Sequence, residues 1–165
     1  MTVADGHEVN IARPGENVGV RLEGARPIPV SVGSVLCCAH GPSCLVASSF
    51  LADLHILELP DDVPLVTAGF KCVLHLHMAV AECTLDQLLI HDTGKAKIKH
   101  PPFVKSFAQV LVKIDVAAPV ALDTADHMPA LGHLTLRATS AGGRPCTLAF
   151  GRIVRVLVPK KKSAP

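Results

Sequence analysis

Two histidines, His75 and His77, have the spacing in this sequence that best suits metal binding. Positions i and i+2 of a strand share a face, so the two imidazoles could converge on one zinc ion. The other ligands of a tetrahedral site have no recognisable spacing, because Cys37 and Cys38 are adjacent and the distance to Cys44 exceeds that of a zinc knuckle. We therefore predict no metal site, and we expect both histidines on the outer face of their strand, where a partner protein could dock.

Nucleophilic or cofactor-dependent catalysis has little support in the sequence. The chain has six cysteines and nine histidines, so some residues of the two types will lie close together by chance. It contains no phosphate-binding loop, no Gly-x-Gly-x-x-Gly string and no Gly-x-Ser-x-Gly nucleophile elbow. We predict no catalytic residue and no cofactor in this chain, and we interpret the cysteines as buried thiols. A small metal- or thiol-dependent enzyme built on a β-barrel stays open as an alternative.

Charge and composition argue against several classes of partner. The formal net charge of +2 gives no strong attraction to nucleic acid or to anionic lipid. Basic residues cluster at 95–99, in a predicted loop, and at 160–162, in the tail, and such clusters are more often solvated than bound to RNA. The chain has no apolar stretch long enough for a membrane span, and its first residues do not have the pattern of a secretory signal. We expect a cytoplasmic protein that binds neither membrane nor a specific nucleic acid sequence.

The periodicity of the sequence is almost everywhere that of β-strands. Apolar side chains occupy every second position, which puts them on one face of a strand. The clearest such segments are 17–22, 50–58, 71–80, 110–116, 131–137 and 146–158. The segment 83–91 would also suit a helical face, but its neighbours favour a strand. Because turn residues and not helical stretches separate the segments, we predict a closed antiparallel barrel or a sandwich.

The segment 71–80 is the most regular of these predicted strands. We predict that one of its faces is wholly apolar and points inward; this face comprises Cys72, Leu74, Leu76, Met78 and Val80. In the last segment the alternation changes phase near Ile153, which predicts a β-bulge there.

A break in the strand pattern divides the chain near residue 40. Val32-Gly33 and residues 40–43 interrupt the alternation as a domain junction would, and too few strands precede them to close a sheet. We predict that residues 1–40 are the C-terminal remnant of one β-barrel domain, that residues 41–159 form a second barrel, and that residues 160–165 are a basic tail.

Several strings, in one order, resemble the translational GTPases of the elongation factor 1-alpha group. Residues 13–18, 22–24 and 33–36 resemble the closing strands of that group's second domain. The later strings resemble its third domain, and they are Ala68-Gly69-Phe70, Val73 to His77, Pro101 to Lys105, Ala118 to Val120, Met128 to Arg137 and Phe150 to Val154. The resemblance covers residues 12–158, nearly the whole chain.

Within this group, the His75-Leu76-His77 string and the segment 132–137 are most similar to eukaryotic peptide chain release factor 3. The resemblance implies an all-β fold, a six-stranded antiparallel Greek-key β-barrel preceded by the end of a second barrel. It also implies docking to release factor 1, the protein that reads stop codons, and action on the ribosome through that complex. GTP and magnesium are then expected only on a GTPase domain that lies outside this chain.

The partner site of that family, carried over by the motif, falls on Gly132, Leu134, Thr135, Leu136 and Arg137. The family usually has Arg-Phe where this sequence has His133-Leu134, and an acidic residue where it has Ala138. A longer turn, residues 140–144, follows the segment.

The residues themselves support a more modest interpretation of the same segment. His133, Thr135 and Arg137 alternate outward on a predicted strand, and a guanidinium among small polar groups is a plausible hot spot of a protein interface. An exposed strand without a partner fits the pattern equally well. We expect a non-catalytic docking module of translation termination, whose partner surface includes His133, His75 and His77. The corresponding domain of a ribosome-rescue or elongation factor, and a structural component of the ribosome, are the alternatives.

Overall fold

A computed structural model describes residues 2–3, 11–20, 30–38, 40, 43–92, 96–140 and 143–157. The chain divides into two compact units, residues 1–30 and residues 31–165. The first unit contains two paired strands, β1 (Thr2–Val3) and β2 (Val18–Gly19). Of the predicted strand 17–22, Asn17 and Val20 lie outside β2, and residues 21–22 are not among the described residues. The predicted assignment of residues 1–40 and 41–159 to two barrels, and of 160–165 to a tail, stays a prediction.

The second unit contains strands β3 to β11 and one short helix. The long strands are β3 (Leu45–Ile56), β5 (Phe70–Leu76), β6 (Ala79–Asp92), β9 (Gln109–Leu122), β10 (His133–Thr139) and β11 (Pro145–Val156). The short elements are β4 (Val66–Thr67), β7 (Lys97–Lys99), β8 (Phe103–Val104) and α1 (Pro129–Gly132). Among the described residues, no helix has the length and apolar character that crossing a membrane requires.

Six antiparallel strands close into a barrel in the order β5-β10-β11-β3-β9-β6, and β6 pairs back with β5. This order is a Greek key, because β9 returns to pair with β3 after the β5–β6 hairpin. Closure gives every long strand two neighbours, so the barrel has no unpaired edge. The prediction of an all-β, six-stranded antiparallel barrel is confirmed.

The barrel interior is filled by the apolar faces that alternation predicts. Phe50, Ala52, Leu54 and Ile56 are all buried on β3. On β9 the same holds for Val110, Val112, Ile114 and Val116. Truncating a fully enclosed ring such as that of Phe50 to alanine typically costs about 3–5 kcal/mol of folding free energy, so these faces are what drives closure.

The prediction of one continuous strand over residues 71–80 is wrong. The chain reverses at His77 and Met78, so that Leu76 of β5 pairs with Ala79 of β6. Met78 is 71% exposed and Val80 is 64% exposed, while Ala79 is buried. A two-residue turn inverts the alternation, because the residue after the turn faces the same side as the residue before it.

Other local predictions have mixed outcomes. Residues 83–91 lie within β6, so the choice of strand over helix is confirmed. The register between β11 and β3 shifts between Ile153 and Arg155, which confirms the predicted bulge. Residues 97–99 form strand β7 against β6 and not a loop. The pairing of β6 with β5 ends at Leu85, and β7 pairs with Ile90 to Asp92 on that side of the strand.

Candidate functional site

The start of β10 is fixed by the tight connection that precedes it. Pro129 begins α1. The first residue of a helix has no intrahelical partner for its backbone N–H, so a proline, which lacks that N–H, suits this position. The helix ends after one turn at Gly132. A Cβ at Gly132 would collide with the backbone of Ala125, so only glycine allows this approach. The buried carboxylate of Asp123 accepts hydrogen bonds from the Thr124 amide at 2.7 Å and from His127 Nδ1 at 2.6 Å, which holds the connection in place.

The residues of the predicted partner site divide into two sets along β10. Gly132, Leu134 and Leu136 are buried, and the two leucines are only 4% and 1% exposed. His133 is exposed, and Thr135 and Arg137 are half-buried with their side chains outward. The buried set therefore supports the strand, and contact with a partner is open only to the outward set.

Thr135 of β10 belongs to a row of outward residues that crosses four neighbouring strands. Thr135 is opposite His75 of β5 on one side and opposite Phe150 of β11 on the other. Phe150 is in turn opposite His55 of β3, and their rings are stacked with 5.3 Å between centroids. We call this outer surface the histidine face, and it comprises His55, His75, His77, His133, Thr135 and Phe150.

A shallow concavity of about 340 Å³ lies within the histidine face. Its walls include the three imidazoles of His75, His77 and His133, together with Thr135 and Phe150. The β5 and β10 segments are far apart in the sequence, and the structure brings His75 and His77 next to β10. Of the predicted partner residues, His75, His77, His133 and Thr135 line this one concavity.

Two of these imidazoles are oriented by hydrogen bonds to backbone carbonyls. His77 Nε2 donates to the carbonyl of Ala121 at 2.9 Å, and His133 Nδ1 donates to the carbonyl of Pro129 at 2.8 Å. With one ring nitrogen donating, the other nitrogen of a neutral imidazole is an acceptor. The face therefore offers fixed acceptors, a threonine hydroxyl and an aromatic ring to a bound protein.

Metal chemistry has no support from this arrangement. In the part of the chain that the structure describes, no three side chains among histidine, cysteine, aspartate and glutamate are grouped so as to hold a metal ion.

Arg137 lies at the other end of β10, in a groove of about 730 Å³. The groove is also lined by Lys71, Glu82, Thr84 and Asp115. The Nε atom of Arg137 is buried and has no hydrogen-bond partner among the described residues. A buried guanidinium nitrogen without an acceptor is costly to the folded state.

Charged groups border the histidine face on the side of β3. Arg152 lies 4.0 Å from a carboxylate oxygen of Asp53 and 3.7 Å from one of Asp126. Asp53 also accepts two hydrogen bonds from the amide of Gln109, at 3.0 and 3.1 Å. The border is therefore a partly exposed polar rim around the aromatic and imidazole groups.

Sequence reasoning did not find two members of the face, Phe150 and His55. Phe150 is 50% exposed, although it stands in an apolar segment. Its position two residues before Arg152 puts it on the same, polar face of the strand, and this spacing could have indicated that Phe150 faces outward. The alternation of segment 50–58 puts His55 on the outer face, but its contact with Phe150 depends on the register of β3 and β11, which no local pattern specifies.

Comparison with known proteins identifies the domain family that has this architecture. Residues 49–154 match the model of the GTP-eEF1A C-terminal domain-like family. The matched region is the C-terminal domain of translational GTPases and not their GTPase domain.

Similar proteins are found among termination and elongation factors. The eukaryotic peptide chain release factor GTP-binding subunit of Kluyveromyces lactis is 35% identical over 153 residues, which are 91% of this chain and 21% of that protein. An elongation factor 1-alpha of Methanocella arvoryzae is 32% identical over 134 residues, which are 79% of this chain and 30% of that protein. The chain thus spans about a fifth to a third of these relatives.

The fold agrees with that of a solved translation factor. The crystal structure of sup35 complexed with GDP matches with a TM-score of 0.74 and 28% identity, over 94% of this chain and 36% of that chain. The complex with GMPPNP gives a TM-score of 0.75. From the barrel, its strand order and the matched residues, we conclude that this chain belongs to the GTP-eEF1A C-terminal domain-like family.

Proposed function

We propose that this barrel is a docking module that binds a release factor 1 type protein, the decoder of stop codons. In this proposal the chain itself is non-catalytic and reaches the ribosome through its partner. GTP and magnesium bind to the GTPase domain of full-length relatives and not to this chain. The similarity to release factor GTP-binding subunits supports the pathway, and the surface along β10 supports the docking role.

The observation that carries the proposal is that one strand, β10, lines two concavities. His133 and Thr135 line the smaller one, and Arg137 lines the larger one. Leu134 and Leu136 anchor the strand in the core between them, so its outward side chains are held on a rigid element. A surface that presents fixed polar and aromatic groups beside concavities is typical of a protein interface.

The groups along β10 suit different parts of a partner. Phe150, stacked on His55, is a rigid aromatic anchor whose exposed half can enter an apolar pocket. Arg137 lines the larger groove, where the terminal nitrogens of its guanidinium can bind a carboxylate or a carbonyl oxygen.

The test is a calorimetric titration of the purified chain with the release factor 1 homologue, without nucleotide. We expect measurable binding, and we expect Arg137→Ala to weaken it by about 1–3 kcal/mol, because truncation removes a buried anchor. The absence of binding by the unaltered chain would contradict the proposal.

Arg155→Ala is the matched control for this titration. Arg155 is exposed near the C-terminal end of β11, where it pairs with Leu51 of β3. It carries the same charge but belongs neither to the histidine face nor to the groove. An equal loss of affinity in both variants would mean that only general charge attraction is involved, and would reject Arg137 as an anchor.

A second candidate function is the same docking role in a sister pathway. The similarity to elongation factor 1-alpha over 79% of the chain favours it. In that case the chain would prefer aminoacyl-tRNA, or the release-factor-like protein of ribosome rescue. Parallel titrations with these ligands separate the candidates, because each predicts a different preferred partner.

A further inference from the structure

Two buried cysteines face each other across the β5–β6 hairpin. Cys72 of β5 and Cys83 of β6 are direct partners in the antiparallel register. Their sulfur atoms are 3.4 Å apart, and the two residues are 7% and 3% exposed. Neither cysteine is among the outward residues of β10, so their proximity calls for a separate explanation.

The backbone already has the separation that a disulfide bond requires. Directly opposed residues of an antiparallel pair have Cα atoms about 4.5–5.5 Å apart, which falls within the range of about 4.4–6.8 Å seen in disulfides. Bond formation needs the sulfurs to approach from 3.4 Å to about 2.0 Å, a closure of about 1.4 Å. Small changes in the two side-chain torsions can supply this closure without a shift of the strands.

The pair is buried but has a route to solvent. Both cysteines line the groove of about 730 Å³ that also contains Arg137. Because little of either residue is exposed, the groove favours a small oxidant over a bulky one.

The two thiols differ in their readiness to react. A hydrogen bond joins the two sulfurs, and either thiol can be its donor. This contact lowers the pKa of Cys83 against the opposing effect of burial. The same hydrogen bond, with burial, raises the pKa of Cys72. With the shared proton on Cys72, Cys83 is the thiolate that attacks first and Cys72 is the thiol that resolves.

We propose that Cys72 and Cys83 are a redox-modification site that a peroxide converts reversibly into an intramolecular disulfide. The Cys83 thiolate attacks one oxygen of hydrogen peroxide, the O–O bond breaks, and the leaving hydroxide takes a proton to become water. The sulfur of Cys72 then attacks the sulfenic sulfur of Cys83, the S–O bond breaks, and the proton of Cys72 leaves with the hydroxide as a second water. Two thiols are oxidised by two electrons, and one peroxide is reduced to two waters.

The other close pair of thiols is a different case. Cys37 and Cys44 have sulfurs 3.5 Å apart, but they lie in an irregular segment and are not held opposite each other by strand pairing. Cys146 is half-buried, and its sulfur lies 3.4 Å from the carbonyl of Ala138. The Cys37→Ser variant removes the exposed pair, so it is the suitable background for a test of the buried one.

The test is peptide mapping of the folded Cys37→Ser chain after treatment with hydrogen peroxide. Remaining thiols are alkylated after denaturation, and trypsin releases residues 72–95 as one peptide, because no lysine or arginine lies between Lys71 and Lys95. We expect this peptide to lose two hydrogens and to carry no alkyl group, and to become doubly alkylated after reduction with dithiothreitol. A doubly alkylated peptide without reduction, or a link from either cysteine to another peptide, would overturn the proposal.

Two variants sharpen the result. Cys83→Ala should leave Cys72 fully alkylated after the same peroxide treatment, and a protected Cys72 in this variant would refute the pairing. Cys146→Ser is the matched control and should keep the disulfide, whereas its loss would assign the bond to Cys146 instead. Because the primary readout comes from a chain with Cys72 and Cys83 intact, the proposal stays testable if Cys83→Ala fails to fold.

Discussion

Phe150 stacks on His55 with 5.3 Å between the ring centroids and 19° between the ring planes. The two residues are on neighbouring strands, β11 and β3, and are direct partners in the register. The stack fixes the orientation of an aromatic ring that is 50% exposed on the outer surface of the barrel. A rigid, half-exposed aromatic ring loses little conformational freedom on binding, which is why such residues are frequent anchors of interfaces.

Replacement of this ring should reduce partner affinity more than stability. We expect Phe150→Ala to weaken binding of the release factor 1 homologue by about 1–3 kcal/mol, because the ring is an anchor of the histidine face. Calorimetric titration measures the affinity, and urea unfolding checks the fold. Phe107→Ala is the control, since Phe107 is 79% exposed on the loop before β9 and outside the face. Equal effects of the two substitutions would remove Phe150 from the interface.

Gly132 should tolerate no side chain, because of the close approach to Ala125. We expect Gly132→Ala to lower the free energy of unfolding by about 1–3 kcal/mol, as an overpacked site does, and to shift the start of β10. Gly143→Ala is the comparison, because its φ of 74° is unfavourable but nothing lies within 4 Å of the added Cβ. It should cost about 1–2 kcal/mol from the backbone conformation alone. Urea unfolding measures the free energy of unfolding of both variants. An unchanged free energy of unfolding in Gly132→Ala would contradict the observed packing.

Lys113 is held between two carboxylates on the outer side of the barrel. Its amino group lies 2.8 Å from Asp86 and 3.4 Å from Asp115, and the hydrogen bond to Asp86 is the main cause that raises its pKa. A raised pKa of a basic group stabilises the folded state below the unfolded pKa of about 10.4, and this contribution disappears as the pH rises through the folded value. The pairing is therefore complete at neutral pH and lost only in strong alkali.

The expected effect of removing Lys113 is small and depends on pH. We expect Lys113→Met to lower the free energy of unfolding by about 0.2–1 kcal/mol at pH 7, because the pair is partly exposed. The difference from the unaltered chain should vanish above the folded pKa of Lys113. Urea unfolding across this pH range measures it, with Lys99→Met, on β7, as the control. A difference that persists unchanged in strong alkali would show that charge is not its cause.

Most of the barrel could be predicted from alternation, because each inner face is a run of apolar residues at every second position. The strands of Phe50 to Ile56 and Val110 to Val116 are examples. The hairpin at His77 could not be predicted in this way, since His77 and Met78 replace the glycine, asparagine or aspartate that normally marks such a turn. His77 has a φ of 43°, and its ring is hydrogen-bonded to Ala121, a contact that only the tertiary structure provides.

The candidate surface could be predicted only in part. The outward direction of Thr135 and Arg137 follows from the two-residue period of a strand. The burial of Gly132 follows from its contact with Ala125, and the approach of His75 and Phe150 to Thr135 follows from pairing between strands. Register across the barrel joins residues that are far apart in the chain, and no local pattern contains that information.

The central claim is that this barrel docks a release factor 1 type protein through β10. The most direct measurement is a set of calorimetric titrations of the unaltered chain with three ligands: the release factor 1 homologue, the ribosome-rescue protein that resembles it, and aminoacyl-tRNA. We predict binding to the first, with an affinity that Arg137→Ala reduces and Arg155→Ala preserves. No binding to the release factor 1 homologue, or tighter binding to either of the other two ligands, would contradict the claim.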